Sequence, residues 1–367
     1  MPQRERAEPP LALQAPSPIS TVDGRYSRSA ADAERSVGSN PRPSPVIARQ
    51  PLRQIRIQIS HDSRLSNARF GLVGFLPTAL LLAFVLALLG SGAPATSPSL
   101  QRLLHNLEQL TARQLGALAL TVVAVTLVVH PLQISAVRLL EGYWEDWPLG
   151  RILSSVGVNR HRRCRARLEE AAYERADNAE RERRQRWATA RLRHYPAEAR
   201  LLPTRLGNAL RAAEDEAGPR YGMQTVATLP RLYPCMSDRF ARMFADLRNQ
   251  LDMSTRFCVA LLGATLVSVL VLLPHPRWLA VPAVTGGLTW VSYRAAVRAA
   301  MSYGEGLRVA FDLYRFDLIQ ALHYPLPASE QDERSFNQRL SDFFAAGIPM
   351  QADYRHAADA AGTWDEP

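Results

Sequence analysis

The chain has 367 residues, 44 basic and 34 acidic, with a formal net charge of +10. Every basic residue is arginine, which excludes a Walker A lysine, a kinase strand lysine, a Schiff base and a Ser-Lys dyad. Cys164, Cys235 and Cys258 are widely separated and show no CxxC spacing, so reduced thiols are expected, with no disulfide framework and no zinc site.

Residues 1–50 are rich in Pro, Ser, Ala and Arg and lack apolar periodicity, the composition of a disordered tail. Within it, Pro41-Arg42-Pro43-Ser44-Pro45 reads either as solvated tail or as a partner ligand or phosphorylation target. A juxtamembrane segment, 51–69, follows. There Ile55, Ile57 and Ile59 alternate with polar residues, as in a short strand or a lipid-surface segment.

Four apolar runs then set the class, at residues 70–89, 115–134, 257–273 and 278–297. Each approaches the ~20 residues that a helix needs to cross a bilayer core. Eleven arginines precede the first run, twenty-three lie in 138–256 and seven run from Arg294, at the end of the fourth run, to Arg355. The other two connections hold only Arg102 and Arg113 in one case and Arg277 in the other. Arginine-rich loops stay cytoplasmic, so four spans in two hairpins are expected, with both termini and the large central segment inside. The setting this implies is a membrane with anionic headgroups on its cytoplasmic leaflet as the first partner. The fourth run is the weakest, with Pro282, Gly286 and Gly287 inside it and arginines at its edges.

The first hairpin, 70–137, carries leucines at 100, 103, 104, 107 and 110, which predict an outer amphipathic helix over about 99–113 that feeds into the second span. In that span His130 precedes Pro131. An intramembrane histidine is a candidate polar site, although no span offers it an acidic partner. Tyr143, Trp144 and Trp147 supply an aromatic belt at the inner headgroups.

The basic domain, 138–256, opens with an almost wholly charged stretch at 160–193. It reads as one long solvated helix laced with Glu–Arg pairs, or a weak coiled coil, with Leu168, Ala172, Ala176 and Ala179 as its thin seam. Thr204 then caps a helix whose Leu206, Leu210 and Ala213 share a face, and Gly218-Pro219 ends it. Asn208, Arg211 and Glu214 recur every third residue on the neighbouring face. That arrangement suits either a ligand or partner contact or internal pairing. Residues 229–234 read as a turn-rich bridge, and Ser237 caps a helix running through Phe240, Phe244, Leu247 and Leu251 into the third span. After the second hairpin, 257–297, the segment 298–345 repeats the device. Tyr303, Leu307, Phe311, Tyr314, Leu318 and Leu322 form one buried face, expected to pack on Leu206 and Leu210. Ser335 to Phe344 adds a short amphipathic helix, and 346–367 is a flexible tail.

Three pieces carry a resemblance: VRLLEGYW at 137–144, PTRLGNALRAAE at 203–214 with Tyr221-Gly222 downstream, and YGEGLRVAFDLYRFDLIQALHYPLP at 303–327. Together they resemble a group of actinobacterial-type four-span integral membrane proteins of no assigned activity. The resemblance implies the same all-α membrane fold and transfers no catalytic residue.

No HExxH, GxSxG or phosphate loop is present, so an enzyme is not expected, and no cofactor is implied. The central segment has twenty-three arginines against sixteen acidic residues, a basic surface suited to the inner leaflet rather than to nucleic acid. The sequence therefore points to a docking, scaffold or regulatory membrane component, with a protein partner or homo-oligomer. Arg205, Asn208, Arg211, Glu214, Arg308 and Arg315 are its candidate partner- or lipid-binding residues. An oligomeric channel or transporter subunit is the alternative, and an enzyme without recognisable motif the second.

Overall fold

The computed structural model describes residues 64–144, 148–175 and 177–355, less the side chains of 64–74, 129–134 and 136. The N-terminal tail, its Pro41–Pro45 motif, the isoleucine triplet, Trp147, Ala176, the end beyond 355 and the His130 side chain lie outside the described residues. Among the described residues every element is helical and there is no strand. The helices are α1 (Arg64–Gly90), α2 (Leu100–Glu108), α3 (Ala112–Glu141), α4 (Pro148–Tyr173), α5 (Ala179–Leu192), α6 (Arg205–Ala217), α7 (Thr225–Leu232), α8 (Asp238–Leu272), α9 (Ala280–Ala321) and α10 (Glu330–Ala346).

Helices α1, α3, α8 and α9 hold the four apolar runs, with α1 packed on α3 and α8, and α8 packed on α3 and α9. Among the described residues only α8 carries, by itself, an apolar stretch long enough to cross a membrane, with mean hydropathy 2.1 and 28% of it buried. A second stretch qualifies if α2 and the first part of α3 are taken together, although they meet at 111°. The described side chains of α1 contribute the apolar stretch Phe75–Gly90. Small and hydroxyl side chains (Ala260, Ala264, Ser268, Thr285) fill the inside of this bundle, while Leu120, Val128, Leu270 and Val284 point outward. At its tip the α8–α9 turn reaches the α1–α2 loop, where His275 Nε2 lies 3.2 Å from the Pro94 carbonyl.

The amphipathic segment before α3 is not continuous with it. Thr111 starts a new helix through a capping box, its N–H donating to Gln114 Oε1 at 2.9 Å and its hydroxyl accepting from the Gln114 N–H. Residues 109–111 thus break the chain into two helices. The helix then continues through Pro131 to Gly142, which closes it in the left-handed conformation.

The charged stretch is a second correction, because it is two helices rather than one. Asn178 caps α5, accepting from the Arg181 N–H at 2.8 Å, with Glu180 and Glu182 in the first turn where the helix dipole favours them. The pair folds into a hairpin over a small seam of Leu168, Ala171, Ala172 and Ala188. Residues 229–234 are the third correction. Helix α7 persists through Pro230 because Leu229 and Leu232, both fully buried, tie it to the core.

The remaining elements form where the spacing places them. Thr204 and Ser237 each cap their helix through the side chain. Leu206, Leu210 and Ala213 of α6 pack on Tyr303, Leu307 and Phe311 of α9, with Phe244 of α8 alongside. Burying each of these large side chains stabilises by about 1.5–3 kcal/mol, far more than an exposed Glu–Arg pair. Helix α10 begins five residues earlier than its periodicity suggests, because Ser329 caps it and three acidic residues occupy its first turn.

Candidate functional site

The polar residues converge where the apolar bundle meets the polar domain. The C-terminus of α3 docks on the start of α6 so closely that a Cβ on Gly207 would lie 1.9 Å from the Glu141 carbonyl oxygen. Thr204 secures the joint by donating to that same carbonyl at 2.9 Å while accepting from the Gly207 N–H at 3.0 Å. Tyr293, from the fourth apolar run, accepts from the free N–H groups of Arg205 and Leu206 at 3.2 and 3.4 Å. The first turn of α6 is therefore bonded to two of the apolar helices at once.

Glu141, Tyr143, Leu202, Gly207, Leu210, Arg211 and Glu214 line a cleft of ≈ 220 Å³, open mouth included. Arg211 donates to the Tyr143 hydroxyl at 3.0 Å and lies over its ring. Burial pushes the Glu214 carboxyl up to about 7, and the Arg211 guanidinium only partly offsets this. Burial also raises the Tyr143 hydroxyl, again opposed by Arg211. Asp215, beside the cleft, pairs with Arg200 at 3.1 Å.

Asn208 does not reach this cleft. It is 1% exposed, accepts from the Leu202 N–H at 2.8 Å and donates to the Leu202 carbonyl at 2.8 Å, so it clamps the loop before α6.

A second polar cluster ties α6, α9 and α10. Arg308 is 3% exposed and pairs with Glu216 at 2.6 Å and Glu305 at 2.5 Å. Arg315 pairs with Glu333 at 2.8 Å and stacks over the rings of Tyr221 and Phe316. Tyr221 in turn donates to Asp312 at 2.7 Å.

Of the six candidate residues, then, Asn208, Arg211, Glu214, Arg308 and Arg315 contact other parts of the domain. Arg205 differs. It has no ion pair among the described residues, and burial together with Arg191 lowers its pKa. Arg294 stands near it and stacks on Trp290 in the last turn of the fourth apolar run. His130 lies within α3, away from the residues that line the cleft.

Two features escaped the sequence reading. Tyr293 as a cap for α6 has no local signal, because its partner is 88 residues away. The exposed apolar stripe at the start of α4 did have one: Leu149, Ile152, Leu153 and Val156 recur at amphipathic spacing.

Comparison with family models, with curated proteins and with solved structures yields no match.

Proposed function

We propose that this chain is a non-catalytic integral protein of the cytoplasmic membrane. It crosses the bilayer four times with both termini inside, and its helical cytoplasmic domain serves as a docking or regulatory module. The observation that carries this reading is the continuity of α8 and α9. Each runs unbroken from the apolar bundle into the core of the polar domain, over 35 and 42 residues, about 52 and 63 Å at 1.5 Å per residue. Such helices transmit tilt or rotation between a membrane region and a cytoplasmic one without a hinge.

The outward placement of large apolar side chains around α1, α3, α8 and α9 supports the membrane reading, because a water-soluble bundle places them inside. The clustering of arginine at the polar-domain end supports the orientation. On this reading the fourth run crosses as the partner of α8, since Thr289 meets Thr265 at 3.2 Å and Ser268 meets Thr285 at 3.5 Å. The same contacts weigh against a channel or transporter subunit. These hydroxyls also bond carbonyls of their own helices, which commits them to helix pairing rather than to a polar path. The resemblance to four-span bacterial membrane proteins agrees with the topology and adds no activity.

Light scattering on the protein in mild detergent, corrected for bound detergent, tests the choice between these readings. A monomer or dimer is expected for a docking module. A discrete ring of four or more chains would favour the pore.

A further inference from the structure

The first half of α4 presents an apolar face that nothing among the described residues covers. Leu149 is 71% exposed, Ile152 62%, Leu153 60% and Val156 62%. Their spacing of three, four and seven residues puts them on one stripe. The same stripe runs on, at 3.6 residues per turn, through Arg160, Arg163 and Arg167. All three arginines are exposed and form no ion pair among the described residues, whereas Arg162 and Arg165 on other faces pair with Glu198 and Glu169. One face thus passes from apolar to basic between Leu149 and Arg167, with no acidic residue on it over that length, and Glu170 follows one turn beyond.

The helix cannot turn this face inward, because its neighbouring face is already fixed. A Cβ on Gly150 would lie 2.1 Å from the Trp144 carbonyl oxygen, and one on Gly157 would lie 2.5 Å from Pro203 Cβ. These two glycines, one heptad apart, seat α4 against the segment just after α3 and against the loop that leads into α6. That is the level at which Tyr293 and Glu141 join the apolar bundle to the polar domain.

We infer that this face of α4 is a binding site for the anionic inner leaflet: Leu149, Ile152, Leu153 and Val156 enter the headgroup–acyl boundary, and Arg160, Arg163 and Arg167 hold lipid phosphates. The chemistry is that of an interfacial amphipathic helix, in which buried apolar area and attraction to anionic lipid act together. Anionic lipid is the occupant that fits both halves, since a wholly apolar partner leaves three arginines unmatched and a soluble anion leaves four apolar side chains in water. The site rests on the membrane reading above and adds to it a contact in the plane of the bilayer. Its consequence is that lipid charge sets the position of the α4–α5 hairpin and, through Pro203, of α6.

The test uses the full chain, with Cys164→Ser, Cys235→Ser and Cys258→Ala, carrying Val156→Cys labelled with an environment-sensitive fluorophore. It is reconstituted in vesicles of phosphatidylcholine alone or mixed with phosphatidylglycerol. Blue-shifted emission, quenching by spin-labelled acyl chains that increases with phosphatidylglycerol, and loss of that increase in R160Q/R163Q/R167Q are the expected results. A label at Tyr173→Cys, near the hairpin tip, should stay aqueous. Aqueous emission at position 156 in protein that resists alkaline carbonate extraction would overturn the site and leave the membrane reading standing. Extraction by carbonate would overturn the membrane reading itself, and this inference with it. Lipid contact that ignores phosphatidylglycerol and the arginine substitutions would overturn the anionic half of the assignment.

Discussion

The two ends of this molecule are packed by opposite rules along the same pair of helices. In the apolar bundle Ser268 is fully buried while Leu270, two residues on, is 76% exposed. In the polar domain Phe311 and Leu307 are fully buried and arginines populate the surface. Helices α8 and α9 take part in both regions, so neither helix propensity nor length accounts for the inversion. On the proposed membrane reading, the surrounding medium does. Where the outside is hydrocarbon, small residues permit close approach and hydroxyls satisfy each other. Where the outside is water, area removed from it is the driving force.

The sharpest way to break the comparison is to truncate one large side chain at each end. Phe311→Ala should destabilise the domain by about 3–5 kcal/mol, because it removes a buried aromatic and leaves a cavity. Leu270→Ala should cost less than about 0.5 kcal/mol, since an exposed site loses little packing. Thermal unfolding in nanodiscs measures both, and equal losses would dissolve the distinction.

Charge discriminates the two ends in the reverse sense. Leu266→Arg, at a 56% exposed position, should carry an insertion penalty of about 2.5–3.5 kcal/mol if that surface meets the bilayer centre. Membrane yield in cells should fall accordingly. In water such an exposed arginine would be neutral, and an unchanged yield would contradict the membrane assignment of that face.

At the junction between the ends, pH is the probe. The buried Glu214 carboxyl stands at about 7 in the folded chain against an ordinary 4.5. Between those values the folded state keeps a proton that the unfolded state has released. The stability associated with Glu214 is therefore complete below pH 4.5 and lost as pH rises to about 7, by roughly 2–3 kcal/mol. Unfolding at pH 5 and pH 8 should show this slope, and Glu214→Gln should flatten it. Asp215, also raised by burial, adds a smaller slope of the same sign. A slope unchanged in Glu214→Gln would mean that another group titrates at the junction.

A smaller effect is expected at the clamp. Asn208→Ala removes two bonds to the Leu202 backbone and leaves buried partners unmet, at a cost of about 1–2 kcal/mol. The measurable sign is faster hydrogen exchange at residues 201–204, with the apolar bundle unaffected.

Much of this architecture was legible in the residues themselves. Thr204 and Ser237 are local capping signals, and the three-four spacing from Tyr303 to Leu322 specifies a buried stripe whatever it packs on. The break at Asn178 was hidden, because arginine and glutamate continue on both sides and an apolar pattern never marks a boundary. Helix α7 was hidden by Pro230 and Pro234, whose breaking tendency two buried leucines override. The candidate site was legible as a set of residues and not as a direction. Spacing puts Asn208, Arg211 and Glu214 on one face of α6. Whether that face meets a partner or the chain itself depends on Leu202 and Tyr143, and Tyr143 approaches from 68 residues away. Inward pairing of Arg308 depends in the same way on Glu216, which lies on a different helix.

The central claim is that the bundle end spans a bilayer while the junction and the polar domain face the cytoplasm. A membrane-impermeant maleimide applied to intact cells tests it most directly, comparing Ser97→Cys at the bundle tip with the native Cys164 on α4, both at exposed positions. The account predicts labelling at position 97 in intact cells and labelling of Cys164 only after the membrane is opened. Labelling of Cys164 from outside, or protection of position 97 until lysis, would contradict it.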